Sequence, residues 1–307
     1  MENIFKSGSC SVVLGSNYYH PFIEKKKNKL LKITHIITNH DEFKYLSEIK
    51  KIKNYEDYYS IPEDTFYLLQ PSNSFYYDIK KIVNDTDIFN SNYSLYCFYI
   101  NYAGDKDLIE VISDLDESKG KNYFESYNMI LEFTKNIMDG IRYLHMNKIC
   151  HLDIKPENIV INTQKKTSKI IDFGFSSKEP FDDFVNNIKG TPGYFPKYLV
   201  GENIYPWLPE INANDTFLCR DGKIPMMKNR SLVYKIDSFC FGRVLYFLKY
   251  IYDSKQDTQN LSCLSCILPK ADTDIDNDKL DKIINLLLEN NVEFRITIIE
   301  CYNKFFI

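Results

Sequence analysis

The feature of this sequence that most constrains its fold is the polar run HLDIKPEN at positions 151–158, with the tripeptide DFG beginning fourteen residues after its last member, at 172–174. Asp153 and Asn158 place a carboxylate and an amide on one short loop. Asp172 directly follows an apolar segment that reads as a strand, which puts its carboxylate at a strand end facing a cleft. Magnesium is the ligand expected for such oxygen donors.

Together, the two segments resemble the catalytic core of a protein kinase, H-x-D-x-K-P-x-N followed by D-F-G. The resemblance implies that ATP is the phosphate donor and Mg²⁺ the metal, with Asn158 and Asp172 as metal ligands. It implies that Asp153 orients the acceptor hydroxyl and that Lys155 neutralises charge on the γ-phosphate. A lysine followed by proline is typical of serine/threonine kinases, so protein substrates with Ser or Thr acceptors are expected.

A segment near the N-terminus resembles the kinase glycine-rich loop only in part. Gly8 occupies the second of its three glycine positions, Ser11 stands at the third, and Val13 matches the valine that covers the adenine. Backbone N–H groups around Gly8 and Ser9 would then bind phosphate oxygens. Without the downstream motifs, a plain β-hairpin would be the better interpretation.

Lys32 ends an apolar strand and resembles the lysine that contacts the α- and β-phosphates. Leu30 replaces the alanine that usually lies two residues before it, which implies a tighter or differently tilted adenine pocket. The glutamate that pairs with this lysine is assigned to Glu42, and Glu48 is the competing assignment.

Residues 98–104 resemble the hinge that binds the adenine edge through free backbone groups. Ile100 would be the gatekeeper, followed by Asn101 and Ala103 in the nucleotide site. Asp107 would meet the ribose.

Residues 190–196 resemble the end of the activation loop, which shapes the acceptor-peptide groove and places Thr191 near the catalytic aspartate and lysine. Asp237 matches the aspartate of D-x-W-S-x-G, which braces the catalytic loop.

One departure from the family pattern concerns regulation. Leu152 stands where the family commonly has the arginine that receives an activation-loop phosphate. Phosphorylation at Ser176 or Ser177 would find no arginine there, so we expect activity that is independent of this modification.

A second departure concerns the C-terminal part. Arg295 matches the arginine of a family R-x-T motif, but Lys197 occupies the glutamate position of A-P-E and would face it as a like charge. Glu202 or Glu210 could compensate.

The residue pattern and the resemblance together predict an α+β, two-lobed kinase-like fold in a single domain. A β-rich lobe with one main helix would span residues 1–101, and a mainly helical lobe would span 102–307, with a loop-rich insertion at about 201–230. Strands are predicted at 11–16, 29–34, 66–70 and 95–102. Helices are predicted at 125–147, 234–252 and 279–290.

Composition limits the other function classes. The chain has 307 residues and a net charge of -4, which argues against bulk binding to nucleic acid. Eight cysteines without regular pairing fit a reducing compartment, and the C-x-x-C at 263–266 reads as two buried thiols rather than zinc ligands. No apolar run is long enough to enter a membrane, so an intracellular, cytoplasmic protein is expected. The sequence carries no signal for an oligomeric state.

Two other function classes compete with an active protein kinase. The depleted glycine loop and Leu30 suggest a pseudokinase that binds nucleotide and acts as a scaffold. A small-molecule kinase, such as those acting on choline or aminoglycosides, shares the H-x-D-x-x-x-x-N loop, but Lys155 with its proline and the segment 190–196 oppose it. The A+T-rich coding that the composition suggests would suit a large DNA virus, with the enzyme in host cytoplasm or virion, or an A+T-rich protist.

Overall fold

The structure of the chain is a computed structural model. It describes residues 4–7, 11–15, 26, 29–35, 43–70, 74, 76–77, 94–116, 123–186, 190–191, 193–196, 229–256 and 279–307. These residues belong to two compact units. The first comprises Met1–Ala103 and Ile171–Ser176, and the second comprises Gly104–Ile170 and Ser177–Ile307.

The first unit is built on a five-stranded antiparallel sheet with the strand order β1-β2-β3-β5-β4. Its strands are β1 (Ile4–Ser7), β2 (Ser11–Leu14), β3 (Lys29–His35), β4 (Pro62–Leu69) and β5 (Leu95–Asn101). Alternate residues such as Val12, Leu31, Ile33, Leu95 and Cys97 share one buried cluster, as the period of two in a strand requires. Two helices of four residues each, α1 (Leu46–Ile49) and α2 (Tyr55–Tyr58), precede β4.

The second unit is mainly helical. Its helices are α3 (Leu108–Asp116), α4 (Tyr127–Met146), α5 (Asp182–Asn186), α6 (Tyr234–Gln256), α7 (Lys279–Leu287) and α8 (Ile298–Phe306). Its strands are β6 (Lys106–Asp107), β7 (Ile149–Cys150), β8 (Ile159–Asn162), β9 (Thr167–Ile170) and β10 (Ser177–Lys178). They form a three-stranded sheet, β6-β8-β9, and the two-stranded pair β10-β7.

Small residues and caps fix the packing of these elements. A Cβ atom added to Gly242 would lie 2.9 Å from the Cβ of Leu287, so α6 and α7 are in close contact at this glycine. A Cβ added to Gly104 would lie 2.2 Å from the carbonyl oxygen of Ile161, which holds the start of the second unit against β8. Helix α8 begins with a capping box between Thr297 and Glu300.

The helices predicted from apolar periodicity are confirmed as α4, α6 and α7, with ends that differ by a few residues. The strand predicted at 66–70 is longer, because β4 begins at Pro62. Residues 63–65 are polar, and the pairing with β5 is irregular between Pro62 and Phe66. This part of the strand therefore lacks the alternation of apolar and polar residues by which strands are predicted. Where the sequence predicted one helical stretch in the first lobe, the described residues form two short helices, α1 and α2.

Most of the predicted insertion at 201–230 lies outside the described residues, as do the cysteines of the C-x-x-C motif. Four cysteines within them, Cys97, Cys150, Cys240 and Cys301, are free and buried. None of the described helices combines the length and the hydropathy that a membrane span requires.

Candidate active site

The catalytic loop connects β7 to β8 through a left-handed residue and a short 3-10 turn. Leu152 has a φ of 65°, a conformation that costs an L-residue roughly 1–2 kcal/mol. Asp237, in the first turn of α6, stabilises this backbone. Its Oδ1 accepts from the N–H of Leu152 at 2.7 Å, and its Oδ2 accepts from the N–H of His151 at 2.8 Å. The loop therefore takes its shape from a carboxylate 85 residues away.

Asp237 is fully buried and has a third partner in His145, whose Nε2 lies 2.9 Å from its Oδ2. Burial works to raise the pKa of Asp237, but the hydrogen bond and electrostatic interaction with His145, together with His151, hold it below its ordinary value. Cys150 places its sulfur within 4.8 Å of these ligand atoms, so the cluster has the composition of a metal site. The oxygens of Asp237 already accept three hydrogen bonds, which identifies the cluster as a brace for the loop rather than a metal centre.

Three other predicted site residues contact Asp153. Its Oδ2 accepts from Asn158 Nδ2 at 2.9 Å and lies 2.9 Å from Lys155 Nζ. Its Oδ1 accepts from the hydroxyl of Thr191 at 2.5 Å, and that hydroxyl accepts from Lys155 Nζ at 2.9 Å. A carboxylate and an ammonium group thus converge on one alcohol oxygen.

This arrangement shows which chemistry the second unit supports. Asp153 Oδ1 is accessible to an alcohol O–H at hydrogen-bond distance, as a group that orients or deprotonates a hydroxyl requires. Lys155 supplies positive charge at the same oxygen. Asn158 is buried and also donates to the backbone carbonyl of Asp153 at 2.9 Å, which fixes the orientation of the aspartate.

In the first unit, the structure brings Lys32 and Asp172 together. Lys32 lies in β3, opposite Val13 in β2 and Phe98 in β5. Its Nζ is 3.9 Å from Asp172 Oδ2 and 5.8 Å from the centre of the Phe98 ring. The side chain of Asp172 is 43% exposed, so its carboxylate can take a further ligand.

The backbone around Asp172 is set by its neighbours. Asp172 has a φ of 64°, and its Oδ1 accepts from the N–H of Gly174 at 3.3 Å. Phe173 is buried and packs edge-on against Tyr59, with 5.6 Å between ring centres. A strained acidic residue between a packed aromatic residue and a strand is typical of a functional position.

The predicted hinge residues lie at the end of β5. Leu30 pairs with Ile100 across β3 and β5, and Lys29 binds the side-chain oxygen of Asn101. The backbone carbonyl of Asn101 accepts from Ser60 Oγ at 2.7 Å. At least one backbone group of this segment is therefore engaged within the protein.

The two remaining residues of the predicted nucleotide site in this region are buried. Ala103 is the last residue of the first unit's main segment. Asp107, in the second unit, caps α3, because its Oδ1 accepts from the N–H of Glu110 at 2.8 Å while Glu110 accepts from the N–H of Asp107 at 2.9 Å. A role at the ribose would thus be additional to a helix cap.

Several predicted residues lie outside the described part of the chain. These are Gly8, Ser9, Glu42, Lys197, Glu202 and Glu210. The backbone of Ser11 lies in β2, and Glu48 lies half-buried in α1, so the choice between Glu42 and Glu48 stays open.

Arg295, which was predicted to face Lys197 as a like charge, is buried in the second unit. Its guanidinium group donates to the backbone carbonyls of Glu289, Lys235 and Asn290, and it lies 4.6 Å from the centre of the Phe239 ring. Backbone oxygens and an aromatic face thus stabilise this charge.

Some of the described residues contact the site without having been identified from the sequence. Examples are Tyr59 against Phe173, Ser60 against Asn101, and His145 against Asp237. The contacts of His145 and Ser60 span 92 and 41 residues, so no local pattern could reveal them.

Comparison with known proteins adds a family match. A family model described as protein kinase domain matches residues 49–307. The chain is 24% identical over 194 residues to the serine/threonine-protein kinase nekl-2 of Caenorhabditis elegans, across 62% of this chain and 46% of that protein. It is 36% identical over 110 residues to the serine/threonine-protein kinase CAK1 of Saccharomyces cerevisiae, across 32% of this chain and 30% of that protein.

A third curated relative, myosin light chain kinase family member 4 of Homo sapiens, is 32% identical over 133 residues, across 40% of this chain and 34% of that protein. The chain thus spans less than half the length of these curated relatives. Among solved structures, the Cydia pomonella granulovirus kinase PK-1 matches with a TM-score of 0.55 at 16% identity, covering 98% of this chain and 91% of that chain. That likeness shows a shared fold.

Proposed function

Because this chain belongs to the protein kinase family and has its α+β fold, we propose that it is an active serine/threonine protein kinase that transfers the γ-phosphate of ATP to proteins. The observation that carries the proposal is the alcohol group of Thr191, which binds Asp153 and Lys155 at once. A substrate hydroxyl needs these two partners. The protein supplies both from the loop at 151–158.

Asp153 would accept the hydrogen bond of the substrate hydroxyl and aim its oxygen at the phosphorus, as the second unit's geometry permits. Lys155 would balance the negative charge on the phosphoryl group as it transfers. Thr191 would keep the lysine directed at the reacting oxygen through the bond that the two side chains already form.

In the first unit, Lys32 would bind the α- and β-phosphates, and Asp172 offers a carboxylate oxygen of the kind that Mg²⁺ prefers. In the second unit, Asn158 offers an amide oxygen as a metal ligand. The exposure of the Asp172 carboxylate supports this assignment. When bound, Mg²⁺ neutralises charge on the phosphates.

The adenine would bind along residues 100–103, with Leu30, Ile100, Asn101 and Ala103 in its site and Asp107 toward the ribose. Gly8, Ser9, Ser11 and Val13 would cover the phosphates and the base. Support comes from the pairing of Leu30 with Ile100, which places the two apolar side chains on neighbouring strands.

Serine and threonine acceptors are supported by the lysine-proline pair at 155–156 and by two relatives that are named serine/threonine-protein kinases. A lysine-proline pair at this position is not typical of tyrosine kinases. The expected protein substrates therefore carry aliphatic hydroxyl acceptors.

Transfer of labelled phosphate from ATP with Mg²⁺ to casein, to a basic protein and to the chain itself tests the proposal. Asp153→Asn should lower kcat at least about 1,000-fold, because the hydroxyl loses its acceptor, and Asp172→Ala should abolish Mg²⁺-dependent turnover. Label on serine or threonine that both substitutions remove would support the kinase. No transfer by the wild type, together with nucleotide binding, would instead support the pseudokinase alternative.

A further inference from the structure

Helix α6 contains a buried cation that the proposed mechanism does not use. Arg243 is 3% exposed, and it lies among buried apolar residues such as Phe241, Val244 and Leu245. Its Nε donates to the backbone carbonyl of Gly193 at 2.9 Å, across 50 residues of sequence. A guanidinium group in such a place carries a desolvation cost, which a specific contact must offset.

The contacted carbonyl belongs to the tight turn that follows Thr191. The N–H groups of Tyr194 and Phe195 both donate to the Thr191 carbonyl, at 3.3 and 3.0 Å. Gly193 has a φ of 88°, which a residue with a side chain rarely adopts. The geometry of the turn thus depends on this glycine and on what its carbonyl binds.

Packing supports the turn from a second direction. A Cβ atom added to Gly190 would lie 2.2 Å from the Phe195 ring, so that ring lies directly over the backbone before Thr191. Phe195 also contacts Phe184 of α5, with 6.2 Å between ring centres. The backbone is therefore held on both sides of Thr191, by the Phe195 ring at Gly190 and by Arg243 at Gly193.

Thr191 connects this turn to the catalytic loop, because its hydroxyl binds Asp153 and Lys155. We propose that Arg243 is a positioning residue for phosphate transfer, which acts through Gly193 to hold the Thr191 hydroxyl on Asp153 and Lys155. This inference rests on the proposed function, since it assigns Arg243 a part in the same reaction. Arg243 itself touches none of the reacting groups in this assignment.

The chemistry of arginine suits the task. A charged donor forms a stronger bond to a carbonyl than a neutral one, and a planar guanidinium fixes its direction. Burial lowers the pKa of Arg243 to about 10, and the neighbouring Tyr194 and Tyr246 oppose that shift. The group therefore stays protonated near neutral pH.

A purely structural role predicts a different outcome, because it would lower stability without a selective effect on turnover. Arg142 offers a matched control. It is a half-buried arginine of α4, paired with Asp139 at 2.5 Å and placed 4.6 Å from the ring centres of Tyr143 and Tyr302, so these contacts lie within α4 and α8.

The experiment compares Arg243→Met, Arg243→Lys, Thr191→Val, the double variant Arg243→Met with Thr191→Val, and Arg142→Met in the full chain. Steady-state kcat, KM for ATP and melting temperature are measured for each. We expect Arg243→Met to lower kcat about 10- to 100-fold with KM for ATP within about twofold of wild type. Arg243→Lys should recover much of that loss, and Arg142→Met should leave kcat within about twofold.

The double variant decides whether Arg243 acts through Thr191. If it does, Arg243→Met will lower kcat by no more than about twofold in the Thr191→Val background. An equal loss of kcat in both backgrounds, or an unchanged kcat in Arg243→Met, would overturn the inference. Turnover by the wild type would still support the proposed function in that case. If the wild type shows no turnover, the proposed function fails and this inference fails with it.

Discussion

At the scale of one residue, Asp237 shows how a buried carboxylate can fix the backbone of a loop that is distant in the sequence. Its two oxygens accept hydrogen bonds from His151, Leu152 and His145, whereas an asparagine would offer one oxygen and an NH₂ group that faces donors. We expect Asp237→Asn to lower the free energy of unfolding by about 2–4 kcal/mol and kcat by about tenfold or more. Urea unfolding measures the first effect, and the phosphate-transfer assay measures the second. If neither the free energy of unfolding nor kcat fell, Asp237 would not be the brace of this loop.

The same residue predicts an acid limit of stability. The pKa of Asp237 lies below its ordinary value of 3.8, so the ionised carboxylate stabilises the fold fully above that value. This contribution is lost as the pH falls through the lower, folded-state pKa. Unfolding free energies measured from about pH 6 to about pH 2.5 should fall more steeply for the wild type than for Asp237→Asn. Parallel curves would assign the acid loss to other carboxylates.

At the scale of an element, β10 bears on regulation. Ser176 and Ser177 are buried, and Ser177 pairs with Cys150 across the β10-β7 ladder. A phosphate at either position would have to break this packing, and Leu152 provides no positive charge to receive it. We expect phosphatase treatment to leave kcat unchanged, as followed by the transfer assay before and after treatment. A fall in activity that rephosphorylation restores would show that another residue receives a regulatory phosphate.

Substitutions within β10 test the burial directly. The Ser177 hydroxyl is buried without a hydrogen-bond partner among the described residues. Ser177→Ala should therefore leave the melting temperature equal or higher, whereas Ser177→Glu should lower it because a charge would be buried. Thermal unfolding of the two variants side by side decides this, and equal stability of both would indicate an exposed strand.

At the scale of the whole molecule, nucleotide binding should stabilise the native state. Ligand at about 100 times its Kd adds about 2.7 kcal/mol, which corresponds to a rise in melting temperature of roughly 5 °C for a protein of this size. Lys32→Met should reduce this rise, because the phosphates lose the cation that lies 3.9 Å from Asp172. Differential scanning fluorimetry with and without Mg²⁺ and ATP makes the measurement. A rise that Lys32→Met leaves intact would place the nucleotide elsewhere.

Sequence reasoning was most successful where the function depends on adjacent residues. The loop at 151–158 supplies Asp153, Lys155 and Asn158 from one segment. Their joint role was predicted from the family resemblance and stays a prediction, while the structure shows that their side chains are in contact. Thr191 was predicted to lie near them from the family resemblance of residues 190–196, and not from residue periodicity. The helices α4, α6 and α7 followed from apolar repeats of three and four residues.

The contacts that sequence reasoning missed join distant residues through single hydrogen bonds. Arg243 reads as an exception inside an apolar helix, and the sequence does not show that its Nε donates to the Gly193 carbonyl. Ser60 and His145 are similar, since their neighbours in the sequence say nothing about Asn101 or Asp237. Such pairs depend on how strands and helices pack, which no local pattern encodes.

The bond between Ser60 and the Asn101 carbonyl also bears on inhibitor design. A carbonyl oxygen has two lone pairs, and the serine hydroxyl occupies one of them from a distance of 2.7 Å. A compound that donates a proton to this carbonyl must approach along the other lone pair. We expect scaffolds whose donor points in that single direction to be selective for this protein over kinases in which both lone pairs of the oxygen are unoccupied.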